Sequence, residues 1–312
     1  MIIENITQNN KLNSMMNVRT LLRLFSLIIF VFILSCKSGT NTKKEQLNYD
    51  SIDLSKKGDY VSILDTAGEG LPIFYNMYLS VEMSSLFQAA GAVFEPDLLN
   101  PTEKTSDYLT SSKQAINLGI YAVDLSYSRV LDQVEIAGQY FNAMEKLSQE
   151  LGIPSEFFHN SAKRFDRNIS DKDSLIQIAN EVYVATDNYL KENERNDAAV
   201  LIIMGGWTEA IHIACNVAIE SENIDILERL AEQKFSLQNL ITILTPHKDD
   251  EVVASYLEKL EKLQAKFNRF VVDVSPEFDP TSDQGKSQIN GYLKEVKAID
   301  ETINSIRNDM VS

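Results

Sequence analysis

The sequence predicts an all-α protein, a multi-helix bundle or an array of helical hairpins with about eight to ten helices. Strand patterns are scarce, and apolar residues recur at helical spacing in long segments of the chain. The 12 glycines and 7 prolines fall mostly between those segments, where they interrupt helices. With 312 residues, 44% of them apolar, the chain can bury a large core.

Residues 17–36 have the features of an export signal. Arg19 and Arg23 provide the positive charge at its start, and the apolar stretch 24–34 follows. That stretch is too short for an ordinary membrane span. The pattern therefore indicates a signal peptide.

The signal ends in Ile33-Leu34-Ser35-Cys36. This sequence resembles the lipobox of bacterial lipoproteins, which has an aliphatic residue three positions before an invariant cysteine and a small residue directly before it. The resemblance implies that residues 1–35 are removed and that the Cys36 sulfur carries a diacylglyceryl thioether. Several acyl chains on one protein give stable membrane anchoring.

The flanks of the signal add two expectations. Signal peptides begin with their basic region, so the polar residues 1–14 favour a true start at Met15 or Met16. After the cysteine, residues 36–50 are polar and have the composition of a flexible lipidated tether. Lys37 stands where many Gram-negative lipoproteins retained in the inner membrane have Asp. By that resemblance, the protein is expected at the outer membrane, facing the periplasm.

The charge of the chain is strongly acidic. The formal net charge is −16. Removal of residues 1–35 takes away Glu4, Lys11, Arg19 and Arg23, which leaves 44 acidic and 26 basic side chains and a net charge of −18. A protein without a basic surface cannot replace the counterions of a phosphate backbone, so nucleic acid is not expected as a partner.

Helix-breaking residues divide residues 51–312, which we expect to form a single all-α domain. Pro96, Gly152 and Pro246 are predicted to end helices. In chain order, the predicted helices cover residues 71–93, 102–129 (one helix or a pair), 132–151, 155–166, 170–192, 197–220, 224–244, 251–274 and 282–311. The last two, within residues 247–312, should form a C-terminal helical hairpin. Docking of its apolar stripe on the body is favoured over a stripe left free for a partner.

The stretch 197–220 is the centre of the predicted fold. It is apolar nearly all round, which is typical of a buried helix. Three interpretations apply: a core helix, the wall of a pocket, or a membrane span. The core helix is favoured, because ionisable residues in mid-span are costly. The adjacent Gly205 and Gly206 each cost about 1 kcal/mol relative to Ala in a helix, so we expect another backbone to approach closely there.

Polar stripes interrupt three of the apolar helices, at Tyr78/Glu82, Tyr121/Asp124 and Glu209/His212. Buried carboxylates must be paired or hydrogen-bonded. The stripes could form a structural network, with the carboxylates bound by tyrosine hydroxyls and His212, or line a cavity for a cationic or polyol ligand. The network is favoured. The candidate pocket residues are Tyr78, Glu82, Tyr121, Asp124, Trp207, Glu209 and His212.

Other chemistry is less well supported by the sequence. Glu209/His212 and Glu156/His159 have the spacing of di-metal carboxylate bundles, with Glu82 and Asp124 as further ligands. Glu156, however, lies in a helix's first turn, where Glu is common. No phosphate-binding glycine loop, dinucleotide motif or G-x-S-x-G occurs, and we predict no metal and no cofactor. Once Cys36 is lipidated, Cys215 is the only thiol left, and its apolar surroundings favour an inert buried group.

Two segments carry a resemblance across most of the mature chain. Residues 117–127 read NLGIYAVDLSY, and residues 205–209 read GGWTE. The chain resembles a family of uncharacterised bacterial lipoproteins in which an NLGxYxxDLxY element precedes a GGWxE element. The resemblance implies a helical lipoprotein and no particular activity.

Three functions are compatible with the sequence. The favoured one is a lipid-anchored, periplasm-facing helical protein with a binding or interaction role, attached to the membrane through Cys36 and open to a protein partner. The second is a metal-dependent or hydrolytic enzyme that uses the buried Glu/Asp/His cluster. The third is an assembly scaffold that acts through the C-terminal hairpin.

Overall fold

The computed structural model describes residues 87, 90–154, 163–164, 167–168, 174, 178, 181, 186, 188–190 and 192–312. All of them lie within one compact unit, Ile63–Ser312. The predicted all-α class and the expected number of helices are confirmed, and the described residues contain no strand. The signal and the lipidated tether lie outside the described residues, as do all but scattered residues of the helices at 71–93, 155–166 and 170–192.

Six α-helices build the described part of the body. They are α1 (Ser111–Val130), α2 (Val134–Glu150), α3 (Asn196–Ser221), α4 (Ile224–Leu244), α5 (Glu251–Phe267) and α6 (Asp283–Val311). Short 3-10 helices occur at Pro96–Leu98, Thr102–Asp107 and Thr245–His247.

Helix α3 is the central element. It packs against α1, α4 and α6, so its apolar residues are covered on several sides, as its sequence predicts. It is long and apolar enough to cross a membrane by length and composition, yet 89% of its most apolar 18-residue window is buried within the protein. This burial supports the core-helix interpretation of the stretch.

Glycines allow α1 and α3 to cross in close contact. A Cβ atom on Gly205 would overlap the carbonyl oxygen of Ile116, and one on Gly119 would overlap that of Ile202. A Cβ on Gly206 would lie 3.2 Å from the Gly119 oxygen. The approach of a second backbone, which the glycine pair leads us to expect, is therefore present, and Gly119 contributes to it from α1.

Most helix ends follow local chemistry. Gly152 adopts a φ of 73° just after α2, a left-handed conformation that glycine adopts at low cost. Asn223 and Asp250 accept hydrogen bonds from the first turns of α4 and α5. Two predictions were wrong. The polar residues at the start of the predicted helix 197–220 lead us to expect Asn196 or Asp197 as its N-cap, but Arg195 holds that position and its side chain makes no capping hydrogen bond.

The second error concerns the end of α5. The sequence predicts a helix to residue 274, whereas α5 ends at Phe267. The apolar pattern continues past residue 267 because Phe270 is also fully buried. The Phe270 ring, however, reaches the core from a non-helical part of the chain. Periodicity alone does not distinguish these two ways of burying the ring.

Helices α5 and α6 form the C-terminal hairpin, and α6 is part of the core. The Lys266 ammonium donates to the carbonyl of Ala298 (2.6 Å), and Lys259 pairs with Asp309 (2.5 Å), so the two helices run antiparallel. The apolar stripe of α6 is buried at Ile289, Leu293, Val296, Ile303, Ile306 and Met310.

Alanine substitutions of helical glycines will test the crossing of α1 and α3. We expect Gly119→Ala and Gly205→Ala to lower the free energy of unfolding by about 1–3 kcal/mol or more, because the methyl group overlaps a backbone carbonyl. Chemical denaturation measures the change.

Gly138→Ala in α2 and Gly291→Ala in α6 are matched controls. At either position, no atom of the described residues outside the helix's own backbone lies within 4 Å of the added methyl group. Both controls should be neutral or gain up to about 1 kcal/mol from better helix propensity. Equal effects at all four glycines would contradict the close crossing.

Candidate functional site

The polar stripe of α1 lies in the interior. Asn117, Tyr121, Asp124 and Ser128 are each fully buried. They share one helix face, because they are spaced three or four residues apart. The side chains of this stripe meet an irregular segment, residues 93–101, which contains the 3-10 helix Pro96–Leu98.

Side chains of the stripes bind backbone groups of segment 93–101. The backbone N–H of Asn100 donates to Asp124 Oδ2 (3.2 Å), and the Tyr121 hydroxyl donates to the carbonyl of Pro101 (3.0 Å). The carbonyl of Leu98 lies 3.2 Å from His212 Nε2. Where this segment faces the core, its backbone groups need such partners, because a buried backbone group without one is costly.

The side chain of Asn100 extends this network along α1. It is fully buried. Its amide nitrogen donates to the hydroxyl of Tyr108 (2.9 Å) and to Oδ1 of Asn117 (3.0 Å). Asn117 in turn donates to the carbonyl of Met310 in α6 (3.0 Å). Asn100 thus connects the irregular segment directly to α1 and, through Asn117, to α6.

A buried ion pair joins α3 to α6. Arg307 donates through Nε to Glu209 Oε2 (2.5 Å) and through Nη2 to Glu209 Oε1 (2.7 Å). The Glu209 side chain is 0% exposed and that of Arg307 is 11% exposed. Arg307 Nη2 also donates to the carbonyl of Leu98 (2.9 Å). Burial lowers the pKa of Arg307, but the charge and hydrogen bonds of Glu209, together with smaller effects of other nearby acidic groups, raise it above its ordinary value, so the guanidinium stays charged.

Asp124 is the second carboxyl group of this cluster. Its side chain is hydrogen-bonded to Glu209. Burial and the adjacent Glu209 charge hold the pKa of Asp124 well above its ordinary value, against the opposing effect of Arg307. Two carboxyl groups this close are stable when they share one proton. In such a pair the protonated group donates to the other, and the raised pKa favours Asp124 as the group that holds the proton.

His212 is neutral. Its pKa is lowered by burial, which outweighs the attraction of Glu209. A carbonyl oxygen only accepts hydrogen bonds, so the contact with Leu98 assigns the ring proton to Nε2. Nδ1 is then an acceptor, and the side-chain amide of Asn216 lies 3.5 Å from it.

Trp207 lies apart from this cluster. Its indole donates to Ser236 Oγ in α4 (3.0 Å) and its ring lies 6.3 Å from that of Phe267 in α5. Residues two positions apart in a helix are on opposite faces, so Trp207 and Glu209 point to different neighbours. The structure brings Tyr121, Asp124, Glu209 and His212 to one region and places Trp207 in the contact of α3 with α4 and α5.

Several sequence-based hypotheses fall on other parts of the chain. Tyr78, Glu82, Glu156 and His159 lie outside the described residues, as does Cys36. In the part of the chain that the structure describes, no three His, Cys, Asp or Glu side chains are arranged to hold a metal ion. Both oxygens of Glu209 already bind Arg307.

The hydrogen bonds of the tyrosine and the histidine differ from those expected. Tyr121 and His212 were expected to bind the carboxylates, whereas they bind backbone carbonyls of segment 93–101. The carboxyl groups bind each other and Arg307 instead. Cys215 is fully buried, and burial raises the pKa of its thiol, so it remains protonated and unreactive.

Sequence reasoning missed the residues that complete the cluster. Arg307 follows Ile306 and lies one turn after Ile303, so it is a single cation beside the apolar stripe of α6. That position is a usable signal, because a cation there must meet a buried acid. Asn100 and Leu98 carry no comparable signal, since an irregular segment has no periodic pattern.

No protein-family model, curated protein or solved structure matches this chain. The resemblance to helical lipoproteins carried by residues 117–127 and 205–209 therefore stays a prediction. The geometry alone defines what the cluster can do. Its carboxyl, guanidinium and imidazole groups are bonded to one another and to backbone, which is the pattern of a structural network.

Substitution of the ion pair will test its role in the fold. Glu209→Met removes the charge that compensates Arg307, so we expect a loss of about 3–5 kcal/mol in the free energy of unfolding. The double variant Glu209→Met/Arg307→Met removes both charges and should lose less than Glu209→Met and Arg307→Met together. Denaturant unfolding of the wild type, the two single variants and the double variant gives the coupling.

Glu258→Gln is the matched control, because Glu258 pairs with Lys262 at the surface, where both side chains are about 70% exposed. Exposed ion pairs contribute little, so this variant should unfold like the wild type. Strict additivity of the two core substitutions would contradict a coupled pair.

Proposed function

We propose that this protein is a lipid-anchored, periplasm-facing helical protein with a binding or interaction role at the outer membrane. One observation carries the proposal: an apolar export signal ends in the lipobox-like sequence Ile33-Leu34-Ser35-Cys36. The polar residues after Cys36 are suited to a tether between the lipid and the body. The acidic, helical body suits a soluble domain held at a membrane surface.

The interior of the body supports a binding role over a catalytic one. Catalysis needs a group that can reach a substrate and exchange a proton with it. Both oxygens of Glu209 bind Arg307, and His212 contacts the carbonyl of Leu98. Asp124 binds Glu209 and the backbone of Asn100. In this arrangement the three ionisable groups of the stripes are occupied by the protein itself.

If a partner binds the C-terminal hairpin, it meets a polar surface. The apolar stripe of α6 packs into the body, so a partner of this helix would meet its outer face. That face carries both signs of charge, for example at Lys294, Lys297 and Glu301, which are exposed. A scaffold role would therefore depend on polar contacts, which favour specificity and fast association over large affinity.

Lipidation is tested with the two cysteines of the chain. In cells supplied with radiolabelled palmitate, the wild type and Cys215→Ala should both incorporate label and sediment with membranes. Cys36→Ala should lose the label and the membrane association, because no other residue can form the thioether. A Cys36→Ala protein that still carries lipid label would rule out the anchor.

The membrane assignment depends on Lys37. We expect the wild type in the outer-membrane fraction of a Gram-negative host, separated on a density gradient. Lys37→Asp creates the residue that resembles an inner-membrane retention signal and should move the protein to the inner-membrane fraction, while Lys37→Gln should leave it in place. Identical distributions of all three proteins would contradict the sorting role of this position.

A further inference from the structure

The C-terminal end of α6 lies against α1 and α3 and is held there by polar contacts. Arg307 binds Glu209 of α3. Asn117 of α1 donates to the carbonyl of Met310 (3.0 Å), and Lys113 Nζ donates to the same carbonyl (3.3 Å). The deepest of these contacts is the one to Glu209, whose side chain is fully buried.

The bonding of Asp124 indicates a proton between the two carboxyl groups. Its Oδ2 atom accepts the backbone N–H of Asn100. Its Oδ1 atom is buried and accepts no hydrogen bond from the N–H and O–H groups of the described residues, and the Glu209 carboxyl group lies within hydrogen-bonding reach of the side chain. A carboxylate oxygen cannot donate, so a bond between two carboxyl groups requires that one of them is protonated.

A charge count leads to the same conclusion. Two ionised carboxylates beside one guanidinium would leave a net charge of −1 in the core, and an uncompensated buried charge is costly. One proton on the pair makes the cluster of Asp124, Glu209 and Arg307 neutral. In the part of the chain that the structure describes, Arg307 is the only cation hydrogen-bonded to the pair.

The other ionisable groups around the pair do not supply a positive charge. One comes from each neighbouring element: Tyr121 of α1, Tyr140 of α2, Tyr108 just after the 3-10 helix Thr102–Asp107, His212 of α3 and Asp300 of α6. Burial raises the pKa of all three tyrosines, so they are neutral. Burial lowers the pKa of His212, so it is neutral as well. Asp300 is partly exposed and lies beside Asn216, 3.4 Å from its amide nitrogen.

We propose that the Asp124–Glu209 pair, which shares one proton next to Arg307, is a proton-dependent latch that holds residues 307–311 of α6 against α1 and α3. With the proton present, Asp124 donates to Glu209 and the cluster is neutral. When the proton leaves, the two carboxylates repel each other, and Arg307 can compensate only one of them. Lifting the end of α6 then allows water to reach the second charge.

The direction of the pH effect follows from linkage. The closed state binds the proton with a raised Asp124 pKa, whereas in the open state the hydrated carboxyl group returns towards its ordinary value, about 3.9. The stability of the closed state is therefore complete below the ordinary value and is lost as pH rises towards the raised pKa. In that window the opening constant increases about tenfold per pH unit.

Hydrogen exchange of the full chain in mild detergent tests the latch. Protection factors of residues 307–311, corrected for intrinsic exchange with an unstructured peptide of the same sequence, should fall up to about tenfold per pH unit in the wild type. Asp124→Asn should abolish this dependence. Its amide can donate to Glu209 and accept from Asn100, as the protonated acid does, and it cannot ionise.

Two references make the result decisive. Asp249→Asn removes an exposed carboxyl group and should keep the wild-type pH dependence. Within the wild type, the amides of α5 should show flat protection, because α5 makes no hydrogen bond to the pair. This comparison does not require any variant to fold. Flat protection of residues 307–311 in the wild type, or the same slope in Asp124→Asn, would overturn the proposal.

Discussion

The hydrogen bonding of segment 93–101 is the constraint on which the rest of the described structure depends. This irregular stretch borders the core and enters it at Leu99 and Asn100. The short 3-10 helix Pro96–Leu98 bonds part of its backbone, and side chains must bond the other backbone groups that face the core. Asp124 and Tyr121 of α1, His212 of α3 and Arg307 of α6 supply those bonds. The requirement explains why helices that are otherwise apolar carry polar residues on their buried faces, and why those helices keep one register relative to the segment.

The glycine crossing of α1 and α3 makes this arrangement compact, and it has an electrostatic consequence. Gly119 and Gly205 bring the two backbones into contact. At that separation the Asp124 and Glu209 side chains lie within hydrogen-bonding reach of each other, and two ionised carboxylates would repel. Close packing and charge are thus connected: in the proposed latch, one proton and the guanidinium of Arg307 together neutralise the two acids. Helix α6 therefore contributes both the buried positive charge of Arg307 and an apolar stripe to the core.

Much of the fold is predictable because it depends on periodicity and on helix breakers. Helix α6 begins at Asp283 and α4 spans Ile224–Leu244, within one residue of expectation. The error at the end of α5 arises because Phe270 is buried from non-helical chain. In the cluster, spacing indicated Asp124, Glu209 and His212 as interior polar residues. Their partners could not be predicted, because the path of an irregular segment has no repeating pattern, and Trp207 faces α4 although it is only two residues from Glu209.

The charged groups of the buried cluster are bonded within the protein, so a function is to be sought at the surface of the body. A ligand that entered the cluster would have to displace Arg307 from Glu209 or segment 93–101 from Asp124, and either change leaves a buried group without its partner. The cluster is therefore better suited to setting the position of α6 than to binding a small molecule. A body whose buried Glu209, Arg307 and His212 bind one another or the backbone, and which the sequence predicts to be tethered through Cys36, would meet partners through its acidic surface. Any change in its interior would then reach that surface through the end of α6.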